Sequence, residues 1–199
     1  MVTSLQVIKL SKYTIKHLSQ DDFENVISLG NLVHGDGYLD LPSIEEMLGK
    51  STKDDQNASY VMYDGSTLVG FRITYAPNNW NLDQWCTPEL WPVDKEQVAY
   101  FKCNTINPDY QGQGLGGQLL RTSVATLKEM GAKAGLSHIW MQSPGNASFK
   151  YFTKAGGQLI KTHPRRWNND PSLPDYVCIL CGTDCYCDAS EMILVFADE

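Results

Sequence analysis

Polar and apolar residues alternate along Tyr13-Thr14-Ile15-Lys16-His17-Leu18, the period of a half-buried strand. Ser19 then offers an N-cap. Asp22 lies three residues on, and Phe23, Val26, Ile27 and Leu29 follow at helical spacing. Gly30 is the expected stop of this helix, and Pro42 to Gly49 reads as a short second one. Ser59 to Tyr63 and Thr67 to Tyr75 are strand-like runs rich in Val, Tyr, Phe and Ile. The Asp64-Gly65 pair between them suits a tight hairpin turn. Val98 to Ile106 is another strand. After it, Leu115, Leu119, Leu120, Val124, Leu127 and Met130 fall on one face of a helix that Gly131 ends. Ile139-Trp140-Met141 predicts a short buried strand, Asn146 to Ala155 a helix closing at Gly156-Gly157, and Gln158 to Thr162 and Met192 to Phe196 the last two strands. This order implies an α/β or α+β sheet covered by helices, in one domain over residues 1–199.

Two stretches break the periodicity. Residues 77–96 crowd Pro77, Pro88, Pro92, Trp80, Trp85 and Trp91 into an irregular insertion, whose tryptophans would line a pocket or pack the loop onto the domain. Residues 163–190 hold Cys178, Cys181, Cys185 and Cys187. Clustered thiols in a cytosolic chain point to a metal before a disulfide. The C-x-x-C-Gly of Cys178 to Gly182 has the form of a zinc knuckle, and Cys185 and Cys187 would complete a closed, structural Cys₄ site for Zn²⁺, with His163 as a substitute ligand. Buried strand cysteines or a redox pair are the other readings of these four.

The chemistry-bearing motif is Asn107-Pro108-Asp109-Tyr110-Gln111-Gly112-Gln113-Gly114-Leu115-Gly116-Gly117, set between a strand and an amphipathic helix. Free amides at a helix start carry partial positive charge, and glycines let a bulky anion come close, so a phosphate or pyrophosphate is the natural guest. A Walker A loop would need Gly-Lys-Ser/Thr, which is absent. Gly112, Gly114 and Gly117 satisfy G-x-G-x-x-G, but the following strand ends at Gln142-Ser143 without the acid that holds a ribose. Pro-x-Tyr followed by Gln111-x-x-Gly114-x-Gly116 instead resembles the acyl-CoA loop of the GNAT acetyltransferases. Ile15 to Leu29, Val61 to Phe71 and Asn146 to Gly157 resemble that family's opening strand and helix, its hairpin and its second cofactor segment.

The resemblance implies a mixed, splayed central sheet flanked by helices and direct transfer of an acetyl group from acetyl-CoA to a primary amine. It implies that backbone near Ile106 pairs with the pantetheine arm. The amides of Gln111, Gly112, Gln113, Gly114, Leu115 and Gly116 would hold the pyrophosphate, and Asn146 would touch the arm from the other side. The family often places a tyrosine acid four residues before the closing glycine. Here that position is Phe152, and Tyr151 is the nearest hydroxyl. Glu96, His34 and Asp36 are the candidate bases. The cysteine segment lies outside the family pattern.

Composition narrows the rest. The chain is 42% hydrophobic and 20% charged, as ordinary globular proteins are, with no apolar run long enough for a membrane span. Met1 to Leu5 lack the basic-then-apolar order of a signal peptide, so a cytoplasmic home is expected. A net charge of −7 gives no sign of nucleic-acid binding and mildly favours a cationic acceptor, small amine or peptide. Homodimerisation stays open. Two other functions compete: a non-catalytic acyl-CoA-binding regulatory module, and a zinc-stabilised protein-interaction domain.

Overall fold

The computed structural model describes residues 12–171 and 177–197; Met1 to Leu5 lie outside them. Among the described residues, nine strands and four α-helices follow in chain order: β1 Thr14–His17, α1 Phe23–His34, α2 Leu41–Ser51, β2 Thr52–Lys53, β3 Gln56–Asn57, β4 Tyr60–Asp64, β5 Thr67–Tyr75, β6 Val98–Ile106, α3 Leu115–Glu129, β7 Ala134–Trp140, α4 Ala147–Lys154, β8 Gln158–His163 and β9 Ala189–Val195. Seven strands form one sheet in the order β1-β4-β5-β6-β7-β9-β8, and β2 and β3 make a separate small hairpin. Every pair in the large sheet is antiparallel except β6–β7, so the sheet is mixed. No described helix is long and apolar enough to cross a membrane.

Two of the departures from the sequence pattern fall at glycines. Gly30 does not stop α1, which runs on to His34 and ends at Gly35, where φ is 104°. A Cβ on Gly30 would lie 2.6 Å from Leu39 Cδ1, so this glycine admits a packed side chain and breaks nothing. Likewise β7 begins at Ala134 rather than Ile139, because Gly135 sits where the Phe101 ring would leave only 2.3 Å to a Cβ. Helix α1 is entered through Asp22, which accepts from Ser19 N and Oγ, pairs with Lys16 at 2.8 Å and accepts from the Tyr63 hydroxyl at 2.8 Å. This one carboxylate fastens the start of α1 to β1 and β4.

Helices α1 and α2 cover one face of the sheet, burying Val26, Leu29 and Ile44 against Phe71, Ile73 and Tyr75. Helices α3 and α4 cover the other, where Leu120, Leu127 and Phe152 meet Phe101 and Met192. Residues 77–96 cross the α1–α2 face beyond those helices. Trp91 packs with Val98, Leu136 and Ile193, and Trp80 Nε1 donates to Val98 O at 2.9 Å. The tryptophans therefore do pack the loop onto the sheet. The anchor is Glu191 of β9, fully buried, which accepts from Thr87 N at 2.9 Å, from Thr87 Oγ1, from Trp91 Nε1 at 2.8 Å and from His163 Nε2 at 3.2 Å.

Candidate active site at the parted strands

Strands β6 and β7 pair over only three positions, Val98–Ala134, Ala99–Gly135 and Tyr100–Leu136. Beyond them β6 stays on β5 and β7 stays on β9, so the two part toward their C-terminal ends. The Ser137 hydroxyl donates to Phe101 O at 3.0 Å just where the ladder stops. The strands are parallel, so the segments leaving both of them begin at this opening: the glycine loop and α3 after β6, the Ser143–Asn146 turn and α4 after β7.

The first internal donor of α3 is Gln118 N, to Gly114 O. The amides before it, from Gly112 to Gly117, make no described backbone hydrogen bond. Gly112 and Gly114 both have φ near 76°, with open space where a Cβ would stand. Gln111 Nε2 donates to Ile106 O at 3.3 Å, and Gln113 accepts from the Tyr13 hydroxyl at 2.7 Å. Asn107 N donates to Val69 O, which puts Ile106, opposite Gly70, at a non-hydrogen-bonded position of the ladder; its own N–H and C=O face away from β5, toward the gap. Asn146 takes a left-handed conformation, φ 54°, at the start of α4. Three buried polar atoms without a partner lie on the segments bordering the opening, Asn104 Oδ1, Ser143 Oγ and Asn146 Oδ1, and a fourth, Arg72 Nε, lies on the neighbouring β5.

Tyr151 and Phe152 point different ways. Phe152 is 1% exposed and stands edge-on to Phe101 at 5.8 Å, a core residue. The Tyr151 hydroxyl donates to Gly116 O at 3.1 Å and accepts from Arg72 Nη1 at 3.2 Å, bridging α4, α3 and β5. Arg72 is buried without a carboxylate partner among the described residues and lies over the Phe101 ring at 4.3 Å. Burial raises the Tyr151 pKa, and the neighbouring guanidinium opposes that rise.

On the α1–α2 side of the opening, the Tyr100 hydroxyl lies 3.1 Å from His138 Nδ1, joining β6 to β7 where they separate. His138 Nε2 is 2.7 Å from the Trp85 carbonyl, which can only accept. Nε2 therefore carries the hydrogen, and Nδ1 accepts from Tyr100. Burial, then the charge of Arg166, lower His138 to about 4; burial raises Tyr100 to about 12. Sequence reasoning missed this pair. The signal available was a histidine beside an apolar strand, hidden because that strand was expected only from Ile139. Of the three bases expected from sequence, only His34 borders the parted stretch of β6, through Thr105. His34 contacts Thr105 Oγ1 at 2.9 Å and is held near 4 by burial, Asp36 is exposed at the tip of the α1–α2 loop, and Glu96 is exposed before the paired end of β6.

The four cysteines converge, with one sulfur from each within 4.8 Å of the others. Cys181 and Cys187 sulfurs are 3.4 Å apart and those of Cys178 and Cys187 3.9 Å. A disulfide would hold its sulfurs at about 2.05 Å, whereas thiolates tetrahedral about zinc stand about 3.8 Å apart, as Zn–S bonds near 2.3 Å require. Cys178 and Gly182 exchange two backbone hydrogen bonds of 2.9 Å, and Leu180 N donates to Cys178 Sγ at 3.4 Å. Burial would raise the Cys178 thiol, but amide bonds from Leu180 and Cys181 outweigh it and bring it to about 7. His163 is not among these ligands, because its Nε2 is engaged by Glu191.

The sequence pattern of the Acetyltransferase (GNAT) family matches residues 14–156. No curated protein matches by sequence. Among solved structures the chain is similar to the ribosomal-protein-S18-alanine N-acetyltransferase from Escherichia coli, at 16% identity and a TM-score of 0.64 over 94% of this chain and 97% of that one. It is similar also to yncA, a putative acetyltransferase from Salmonella typhimurium with its cofactor acetyl-CoA, at 16% identity, TM-score 0.63, and 95% and 96% coverage. A third is Naa50 from Arabidopsis thaliana in complex with the bisubstrate analogue CoA-Ac-MVNAL, at 13% identity, TM-score 0.62, and 94% and 99% coverage. At these identities the likeness is one of fold.

Proposed function

Because the chain belongs to the GNAT acetyltransferase family, we propose that it is an N-acetyltransferase moving the acetyl group of acetyl-CoA directly onto the amine of a small molecule or peptide. The observation that carries this reading is the three-pair β6–β7 ladder, which opens a gap flanked by two helix starts and edged by the Ile106 backbone, whose N–H faces away from β5 and whose C=O accepts only from the Gln111 side chain. Acetyl-CoA supplies the thioester carbonyl that the amine attacks. The amides of Gly112 to Gly116, with those of Gln111 and Leu115, hold the pyrophosphate. Ile106 backbone and Asn146 hold the pantetheine arm, whose amides suit the orphaned Asn104, Ser143 and Asn146 atoms.

Proton movement falls to two tyrosines on opposite sides of the gap. Tyr100 receives the amine proton as its own passes to His138 Nδ1, and the imidazolium formed is supported by the Trp85 carbonyl. Tyr151 is the acid for the departing sulfur. Arg72 is its positioning residue, occupying a lone pair so that the hydroxyl stays a donor and favouring the phenolate. Cys178, Cys181, Cys185 and Cys187 hold a structural Zn²⁺ in the 163–190 insertion, whose four ligands leave no position for catalysis.

The test is CoA-thiol release from acetyl-CoA against a broad amine panel. Amine-dependent release that falls at least tenfold in Tyr100→Phe, with acetyl-CoA affinity retained, is expected. Tight acetyl-CoA binding with no release on any amine would leave a non-catalytic acyl-CoA-binding module instead.

A further inference from the structure

The side of the gap that the acceptor must enter has an unusual balance of charge. The β5–β6 register shifts between Ile73 and Thr74, pairing them with Cys103 and Phe101, so Lys102 between these is bulged out of the ladder. The bulge lies two residues past Tyr100, at the point where β7 departs. Lys102 is exposed, and partial desolvation by its surroundings lowers its pKa below the ordinary lysine value. Cys103 draws it back up, while Arg166 and Lys50 push it further down; Asp170 contributes the weakest field. His34 in turn feels the Lys102 charge. Lys50 is held by Glu46 at 2.6 Å and Arg166 by Asp83 at 3.1 Å, whereas no described carboxylate reaches ion-pair distance of Lys102.

Arg166 reaches this side of the gap through Asp83, whose carboxylate lies within 4.8 Å of a His138 ring nitrogen; its side chain is 11% exposed, with Nη2 on Asp83 and Nε without an acceptor. Its position is not left to a free loop. The neighbouring Arg165 donates its amide to Asp188 at 3.3 Å and pairs with Asp184. Trp167 packs on the cysteines, and Cys185 N donates to Asn168 Oδ1 at 2.9 Å. The residues before and after Arg166 are thus tied to the cysteine segment.

We propose that the acceptor amine carries a carboxylate or similar anionic group, bound between Lys102 and Arg166, and that the metal-filled cysteine cluster holds Arg166 in place to receive it. This rests on the acetyltransferase reading above. A polyamine or a lysine-rich peptide would meet the uncompensated Lys102 and find the nearby Asp83 and Glu46 already paired with Arg166 and Lys50. The net charge of −7 argues the other way only at a distance: beyond about 10 Å salt screens it, and at contact the local groups decide. An anion on Arg166 also offsets the charge that helps to suppress His138, so the right acceptor makes the proton relay more basic as it binds.

The experiment uses the full chain, first shown by calorimetry to bind acetyl-CoA. Its acceptors are matched pairs: free amino acids beside their carboxamides, and short peptides with Glu or Lys as second residue, with spermidine as a polycation. The expected result is a preference of roughly 10- to 100-fold in kcat/KM for the carboxylate-bearing members. That preference collapses in Lys102→Gln and Arg166→Gln while acetyl-CoA affinity holds, and chelating the metal raises acceptor KM with the same affinity kept. Equal or faster transfer to carboxamides, lysine peptides or spermidine overturns the proposal, as does a preference that survives both variants. Acetyl-CoA binding without transfer to any carboxylate-bearing member overturns it too. An acceptor KM indifferent to chelation removes the cluster's part, and failure to bind acetyl-CoA at all removes the acetyltransferase reading instead.

Discussion

On the α3–α4 side of the parted strands, the groups proposed to hold the cofactor are mostly backbone amides from one contiguous run, Gln111 to Gly116, backed by Asn146. On the α1–α2 side, Tyr100, Lys102, His138 and Arg166 come from β6, β7 and the segment after β8, and are brought together by Glu191 and the cysteine cluster. The first side needs only a strand, a glycine turn and a helix in succession to exist. The second exists only when distant segments dock. A binding site made of amides is insensitive to side-chain change, which suits a cofactor shared by many enzymes. A site made of docked side chains can be altered piece by piece, which suits an acceptor particular to one.

This difference predicts that the two sides break separately. The largest effect is expected in the proton relay: His138→Gln and Tyr100→Phe each lower acceptor kcat/KM by about 10²- to 10³-fold, while the calorimetric affinity for acetyl-CoA changes less than about threefold. Next is the anchor. Glu191→Ala leaves Thr87, Trp91 and His163 without their common acceptor and costs about 3–5 kcal/mol in chemical denaturation.

Removing metal comes third. Cys185→Ser reduces zinc per chain from one to near zero by elemental analysis and lowers the melting temperature, again sparing acetyl-CoA affinity. A pH effect is smaller. His34 and His138 are both held neutral, near 4 in the folded chain against about 6.5 unfolded. Their contribution to stability is complete above pH 6.5 and is lost as pH falls toward 4, because the unfolded chain binds the protons first. Thermal melts across that window, flatter in His34→Asn than in the native chain, check it. The smallest effect is expected of Phe152→Tyr. It restores the hydroxyl at the usual family position, but that position is core, so stability drops about 1–3 kcal/mol and kcat does not rise.

Legibility in the sequence followed the same line. Apart from the small β2–β3 hairpin, the order of elements, the extent of β5 and β6 and the mixed sheet were readable, because each rests on a local period or a glycine turn. The glycine loop between β6 and α3 was readable because strand, glycine turn and helix are adjacent in the chain. Gly30 and Gly135 misled, one taken for a helix stop and the other hiding half of β7, because close packing against Leu39 and Phe101 leaves no mark in either residue's neighbours along the chain. Lys102 could not be singled out without the register shift that bulges it, nor Arg166 without the cysteine convergence that holds it. The convergence itself was expected from spacing alone, whereas the loss of His163 to Glu191 depended on a residue 28 positions away.

The most direct test is calorimetric titration of the metal-replete protein with acetyl-CoA, with NAD as control, in the native chain and in Gly114→Val. A β-branched side chain at φ 76° strains the loop and occupies the space above its amides. Saturable binding of acetyl-CoA alone, weakened at least about tenfold by the substitution, is the predicted result. Binding that ignores the substitution, or a well-folded protein that binds no acetyl-CoA, would contradict a cofactor held at the parted strands.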